Sequence, residues 1–229
     1  MALVTDIHAG SAGQSHSDTH TVYPKRYEKN VAPVLNSGAD LIITLGDNVD
    51  NESECKYADK LKQLFKNKNI LWAKGNHDKD CIYHLTSQKY YYQDLNGAGW
   101  RIVMLDENID TDSNELDWLK NNALKTDKSV LMVEHVPFFD LGEDEYSTPD
   151  QDSNAEIKED LLPQYINVEN VIAQSGNVKY VFFGHFHDRL WDKVLDGTHY
   201  YILPSVSTQE YNGFYLRLKI GPNGSSSFF

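Results

Sequence analysis

The chain has 229 residues, enough for a substantial buried core, and a single domain spanning residues 1–229 is expected. No run approaches the ~20 apolar residues of a membrane span, so no membrane partner is expected. The formal net charge of -13 argues against a nucleic-acid surface, where Lys and Arg must neutralise phosphate.

No secretory signal is visible ahead of Asp6, which already belongs to the first polar motif, and a cytoplasmic protein is expected. The first strand is unusually short, which points to residues missing ahead of Met1. Cys55 and Cys81 make neither a disulfide-rich scaffold nor a CxxC metal site. Each lies a few residues past a polar motif, so their loops could meet, but two free thiols are the expectation.

In chain order, strands are predicted at 2–5, 41–45, 70–73, 101–105, 129–133, 179–183 and 200–203. All are four or five residues long and rich in Val, Ile, Leu, Phe and Tyr, as buried strands should be. Helices are predicted at about 24–37, 54–66, 113–125 and 156–175. Gly38 and Gly176 stand where a left-handed residue ends a helix, and Asp112 with Glu115 resembles a capping box. A hairpin is expected from Tyr90 to Val103, turning at Asn96-Gly97. The acidic stretch 140–160 begins an EF-hand-like pattern at Asp150, Asp152 and Asn154. The pattern fails where Ala155 replaces the turn Gly and Leu161 the bidentate Glu, so a solvated loop is expected.

Five short strings stand at or just past these strand ends: Asp6-Ile7-His8, Gly46-Asp47-Asn48-Val49-Asp50, Gly75-Asn76-His77-Asp78, His135-Val136-Pro137 and Gly184-His185-Phe186-His187. In α/β sheets the crevice beyond the carboxyl ends of strands is where ligands bind. A lone His or Asp is usually structural; the five strings together point to a metal site. In extended chain Asp6 and His8 would share a side, as would His185 and His187. Gly46, Gly75 and Gly184 each precede a ligand, where a missing Cβ permits the bend and close approach to metal. His16 and His20, in the Gly/Ser-rich loop after the first string, are candidate substrate contacts.

The strings resemble those of the calcineurin-like metallophosphoesterase superfamily, and the resemblance runs from Asp6 to about Ser207. It implies an α/β fold, a four-layer α/β/β/α sandwich of mixed sheets with the metal site at the strand C-terminal ends. It also implies two metal ions. One would be held by Asp6, His8, Asp47 and His187, the other by Asp47, Asn76, His135 and His185, with Asp47 bridging and Asp50 structural. Mn, Fe, Zn and Co all suit such ligands.

Purple acid phosphatases carry Tyr where this chain has Asp50. Ser/Thr protein phosphatases continue that loop with Arg-Gly, where this chain has Asn51-Glu52, and carry Glu where it has Asp78. The outline is most similar to the bacterial cyclic-nucleotide and glycerophospho-diesterase branch.

The expected activity is therefore hydrolysis of small-molecule phosphodiesters. Two cations would lower the pKa of bound water and neutralise developing phosphoryl charge, with hydroxide attacking phosphorus. His77 is the candidate to protonate the leaving group, its alternative being an orienting histidine, and Asp78 would partner a nearby imidazole. Lys74, Lys79 and Arg189 are the few cations close to the strings, which favours diesters over dianionic monoesters. The alternatives are a phosphomonoesterase on nucleotides or sugar phosphates, and a non-catalytic binding protein on the same fold.

Overall fold

Runs of Val, Ile, Leu and Phe that are apolar on both faces belong in sheets covered on both sides. Two such sheets form here. The computed structural model describes residues 1–17, 20–95, 97–141, 160–221 and 226–228.

The amino-terminal half supplies β1 (Ala2–Val4), a ribbon of β2 (Ser15–Ser17) and β3 (His20–Val22), then α1 (Tyr27–Leu35), β4 (Ile42–Thr44), α2 (Lys56–Leu64), β5 (Ile70–Trp72) and α3 (Ile82–Leu85). The middle supplies β6 (Tyr91–Leu95), β7 (Trp100–Met104), α4 (Ser113–Trp118) and β8 (Ser129–Val133). A second ribbon, β9 (Phe139–Asp140) and β10 (Asp160–Leu161), precedes α5 (Ile166–Ser175). The chain closes with β11 (Val178–Phe183), β12 (Trp191–Leu195), β13 (Thr198–Ile202), β14 (Leu216–Ile220) and β15 (Ser226–Phe228).

One sheet has the order β15-β14-β1-β4-β5, the other β12-β13-β11-β8-β7-β6. In the first, β1, β4 and β5 run parallel; in the second, β7, β8, β11 and β13 do, with antiparallel strands at both edges. The sheets face each other across Leu3, Ile43, Leu45, Trp100, Leu131 and Phe182. Helices α1, α2 and α3 bury Val31, Leu61 and Ile82 against the outer face of the first sheet. Ile172 of α5 packs with Val130 and Val181 on the outer face of the second. Four layers, α/β/β/α, result.

Several expectations need correcting. The helix expected over 156–175 starts at Ile166: residues 160–161 pair in a ribbon, and 156–159 lie outside the described residues, as does most of the acidic stretch with its EF-hand-like pattern. The helix expected over 113–125 stops at Trp118 and continues as a π turn, Leu119–Ala123. Asp112 caps it, accepting from the amides of Asn114 and Glu115. Glu115 does not reciprocate; its carboxylate accepts from the Asp106 amide at 2.8 Å, so the capping box is half made. The hairpin β6–β7 pairs Leu95 with Trp100, leaving four residues in the turn rather than two, with φ of 77° at Gly97 and 68° at Gly99. Asn96 itself lies outside the described residues.

The two cysteines are not free: Cys55 and Cys81 form a disulfide across a sequence separation of 26. One lies just before α2 and the other just before α3. The packing of Leu61 and Ile82 in one core brings those starts together, which local sequence does not reveal.

Candidate metal centre

Strand β1 delivers Asp6 and His8, β4 delivers Asp47, β5 leads to Asn76, β8 delivers His135 and β11 delivers His185 and His187. Parallel neighbours β1, β4 and β5 end side by side, as do β8 and β11, which gathers Asp6, His8, Asp47, His135, His185 and His187, with the loop that carries Asn76 beside Asp47. Asp6, His8, Asp47, His135 and His187 are fully buried, while Asn76, His77 and His185 are half-buried.

Asp6, His8, Asp47 and His187 place one ligand atom each within 4.8 Å of one another. The Nε2 atoms of His8 and His187 stand 3.1 Å apart, and His187 Nε2 is 3.0 Å from Asp6 Oδ1. Asp47 Oδ2 lies between two groups, 3.6 Å from His8 Nε2 and 3.2 Å from His135 Nε2. The His185 ring meets that of His135 edge-on at 5.4 Å, and its amide donates to the Asp6 carboxylate.

The extended geometry expected within the two His-containing strings is not what forms. Asp6, His8, Asp47, His185 and His187 all have positive φ, from 46° to 72°. Non-glycine residues rarely occupy this region, at roughly 1–3 kcal/mol each, and such residues gather at ligand sites. The glycines make room for neighbouring side chains. A Cβ at Gly75 would run into Asp47, and one at Gly184 into Thr5 and Asp6. Gly46 combines a φ of 106° with His135 packed against it.

Hydrogen bonds fix which ring nitrogens face inward. His135 Nδ1 donates to the Leu45 carbonyl at 2.9 Å. A carbonyl can only accept, so Nδ1 carries a proton and Nε2 is the nitrogen that faces Asp47. His77 Nδ1 likewise donates to the Asp50 carbonyl at 2.7 Å, while its amide donates to Asp47 Oδ1. Asp78 is not an imidazole partner as expected. Its carboxylate accepts from the amides of Asn48, Val49 and Gly75 and from the Asn48 side chain, all at 2.8–3.0 Å, and so ties the two loop roots together.

Electrostatics couple the carboxylates and imidazoles of this cluster tightly. Burial alone would raise the Asp6 pKa, but the His187 and His135 imidazoles outweigh it and hold it down at about 2. Burial is likewise overcome at Asp47, held well below the carboxylate range by His135, and at His135, raised well above the imidazole range by Asp47. Burial wins at His8, pushed down to about 3 despite Asp47. Asp47 Oδ2, Asn76 Oδ1 and His135 Nε2 are buried without a hydrogen bond. Buried polar atoms are normally satisfied, and carboxylate, amide and imidazole donors suit borderline divalent metals, so the residues fit the two-metal group.

Residues the sequence did not single out also hold the site. Thr5 Oγ1 donates to Asp6 Oδ2 at 2.6 Å, Ser205 Oγ donates to the Asp6 carbonyl, and the Ser205 amide donates to the His187 carbonyl. Their contacts run through backbone carbonyls or a neighbouring residue, and no sequence spacing signals them. His16 and His20 sit on the β2–β3 ribbon, but their side chains lie outside what is described.

A buried carboxylate–imidazole cluster at the strand ends of an α/β/β/α sandwich defines a metal-dependent phosphoesterase. The chain belongs to the calcineurin-like phosphoesterase family, whose sequence profile matches residues 1–189. It is 26% identical over 234 residues to a Fibrobacter succinogenes protein named "Probable cyclic nucleotide phosphodiesterase", covering 91% of this chain and 80% of that one. It resembles in fold a dimetal phosphatase from Danio rerio, with a TM-score of 0.69 at 13% identity over 96% of this chain and 92% of that one. Purple acid phosphatase PPD1 from yellow lupin (Lupinus luteus) gives 0.59 at 12% identity over 90% of this chain and 44% of that one. The family and the Asp/His cluster together point to a dimetal site. Among the described residues no helix is long and apolar enough to cross a membrane.

Proposed function

We propose that this chain hydrolyses small-molecule phosphodiesters. Asp6, His8, Asp47 and His187 would hold one metal, and Asp47, Asn76, His135 and His185 the other. The observation that carries this reading is the position of Asp47 Oδ2, fully buried between His8 Nε2 at 3.6 Å and His135 Nε2 at 3.2 Å. Bound divalent cations, with Mn, Fe, Zn and Co all compatible, supply Lewis acidity towards the phosphoryl group and an acidified water.

The chain's own residues do the rest. His135 keeps its proton on Nδ1 through the Leu45 carbonyl, leaving Nε2 as a donor atom. His77 is held the same way by the Asp50 carbonyl. Its Nε2, 4.0 Å from Asp47 Oδ2, would carry a proton to the departing alkoxide when the ring is cationic. Asp50 serves through its carbonyl and through a carboxylate 3.7 Å from His8 Nδ1, which fits an orienting role.

Two features favour diesters. Lys74 is engaged by Asp106 and Glu107, and Arg189 by Asp188, so neither stands as a dedicated clamp for a dianionic monoester. The Fibrobacter relative bears a diesterase name. The test is to strip the protein with chelator, reload it with Mn²⁺ and compare bis(p-nitrophenyl) phosphate with p-nitrophenyl phosphate. Faster diester turnover is expected. Faster monoester turnover would shift the assignment to a phosphatase, and no turnover with two metals bound would overturn both.

A further inference from the structure

Two loops meet over the crevice, one after β4 carrying Asp47 and Asp50, the other after β5 carrying Asn76 and His77. They are joined at three levels. At the root, the Asp78 carboxylate gathers donors from Asn48, Val49 and Gly75. In the middle, His77 Nδ1 donates to the Asp50 carbonyl. At the outer end, Cys55 and Cys81 are covalently linked, five residues beyond Asp50 and four beyond His77. The segment between Asp50 and Cys55 also anchors the loop after β1: Ser15 Oγ donates to Asp50 Oδ1 at 2.7 Å, and the Ser11 amide donates to Glu54 at 2.9 Å.

We propose that the Cys55–Cys81 bridge is a positioning device for His77, holding the Asp50 carbonyl where it fixes the imidazole, while the metal ligands are secured separately at the loop root. The argument rests on the division of labour between these levels. Four hydrogen bonds to buried Asp78 secure the backbone beside Asp47 and Asn76 whether or not the sulfurs are joined. Asp50 is also held by Ser15 and by its own amide on the Ala9 carbonyl, so what the bridge adds is the tie between the Asp50 segment and the one that carries His77. Opening the bridge therefore releases the proton donor and leaves the metal ligands in place. In a reducing compartment, including the cytoplasm expected from the sequence, a cellular dithiol would open it by exchange. The dithiol becomes a cyclic disulfide as Cys55 and Cys81 become thiols, so the hydrolase would lose its acid catalyst without losing its metals. The effect on turnover rests on the proton-donor reading of His77; the effect on the ring's position does not.

The experiment has two arms. In the first, the imidazole Nδ1–H signals of ¹⁵N-histidine-labelled, metal-free protein are recorded for wild type, Cys55→Ser, and wild type reduced by a dithiol. The His77 signal should be lost to solvent exchange when the bridge is absent. The His135 signal, held by the Leu45 carbonyl, should persist as an internal reference. In the second, Mn²⁺-loaded Cys55→Ser is assayed on diesters with nitrophenyl and alkyl leaving groups. Bound Mn²⁺ should match wild type, and kcat should fall at least ~10-fold further on the alkyl substrate. Reoxidation of the reduced wild type should restore both readouts. A His77 signal that survives without the bridge overturns the proposal, as does metal loss with equal decline on both substrates. If His77→Ala itself shows no leaving-group dependence, the proton-donor reading fails and the first arm alone decides the positioning claim.

Discussion

The acidic clusters beyond the ends of β7 and β4 are both largely buried, and they are neutralised in opposite ways. Asp106, two residues past β7, is met by Lys74 Nζ at 2.7 Å and Lys89 Nζ at 3.4 Å, and Lys74 also reaches Glu107 at 2.6 Å. Burial would lower the Lys74 pKa, but Asp106 and Glu107 outweigh it and raise it. Asp47, three residues past β4, is met by imidazoles and amides, and its Oδ2 takes no hydrogen bond. A lysine supplies a permanent internal cation and closes its cluster to metal. Imidazoles hold their charge only by a ring proton that a metal ion can displace, so the charge balance of the other cluster stays open to ions from solution.

Removing the shared carboxylate breaks this contrast most severely. Asp47→Ala should lose metal at both positions and bring turnover to background; two tightly bound metals, measured by elemental analysis, would contradict a bridging Asp47. His77→Ala should keep both metals and lose ~10²–10⁴-fold in kcat on poor leaving groups, with less loss on nitrophenyl esters. Equal losses on both would exclude the proton-donor role.

Stability effects come next. Lys74→Ala leaves half-buried Glu107 without its lysine and buried Asp106 with Lys89 alone, and should cost about 3 kcal/mol by denaturant titration. A cost near zero would mean those carboxylates find water. Chelation should lower the melting temperature, since each metal bound at 100 times its Kd adds about 2.7 kcal/mol to the folded state. A melting curve indifferent to chelator would contradict the unsatisfied cluster.

A pH dependence sharpens the lysine-neutralised side. Burial raises the Glu115 pKa to about 8. The folded state therefore keeps a proton that the unfolded chain has already released. Stability should fall as pH rises from the ordinary carboxyl range towards 8, by at most ~1.4 kcal/mol per pH unit. Glu115→Gln should flatten that slope in pH-dependent melts, and an unchanged slope would assign it to another group.

The buried Asp/His cluster was legible because each string stands at or just past the end of a short apolar strand, and strand ends are where a sheet exposes a crevice. Asp6, Asp47, His135 and His187 all reach it. The capping Asp112 and the left-handed Gly176, with φ of 66°, were legible too, since both act through their nearest neighbours. Contacts between remote segments were not. The Cys55–Cys81 bridge depends on α2 and α3 starting side by side, and the role of Asp78 depends on two loop roots meeting. The backbone of the strings was misjudged because an Asp-x-His spacing fits extended and left-handed chain equally well. Only the crowding of neighbouring strand ends, with Gly184 against Thr5 and Gly75 against Asp47, selects the latter.

Asp6, His8, Asp47, His185 and His187, the candidate ligands with positive φ, have a consequence for evolving or engineering this protein. At each of them glycine would be the more comfortable occupant, so a side chain there is kept at a cost to the backbone. A selection for thermostability carried out on metal-depleted protein would favour losing those side chains, and would erode the catalytic centre before the rest of the fold. Heritable improvement in robustness should be sought with metal present, where binding compensates for the awkward backbone.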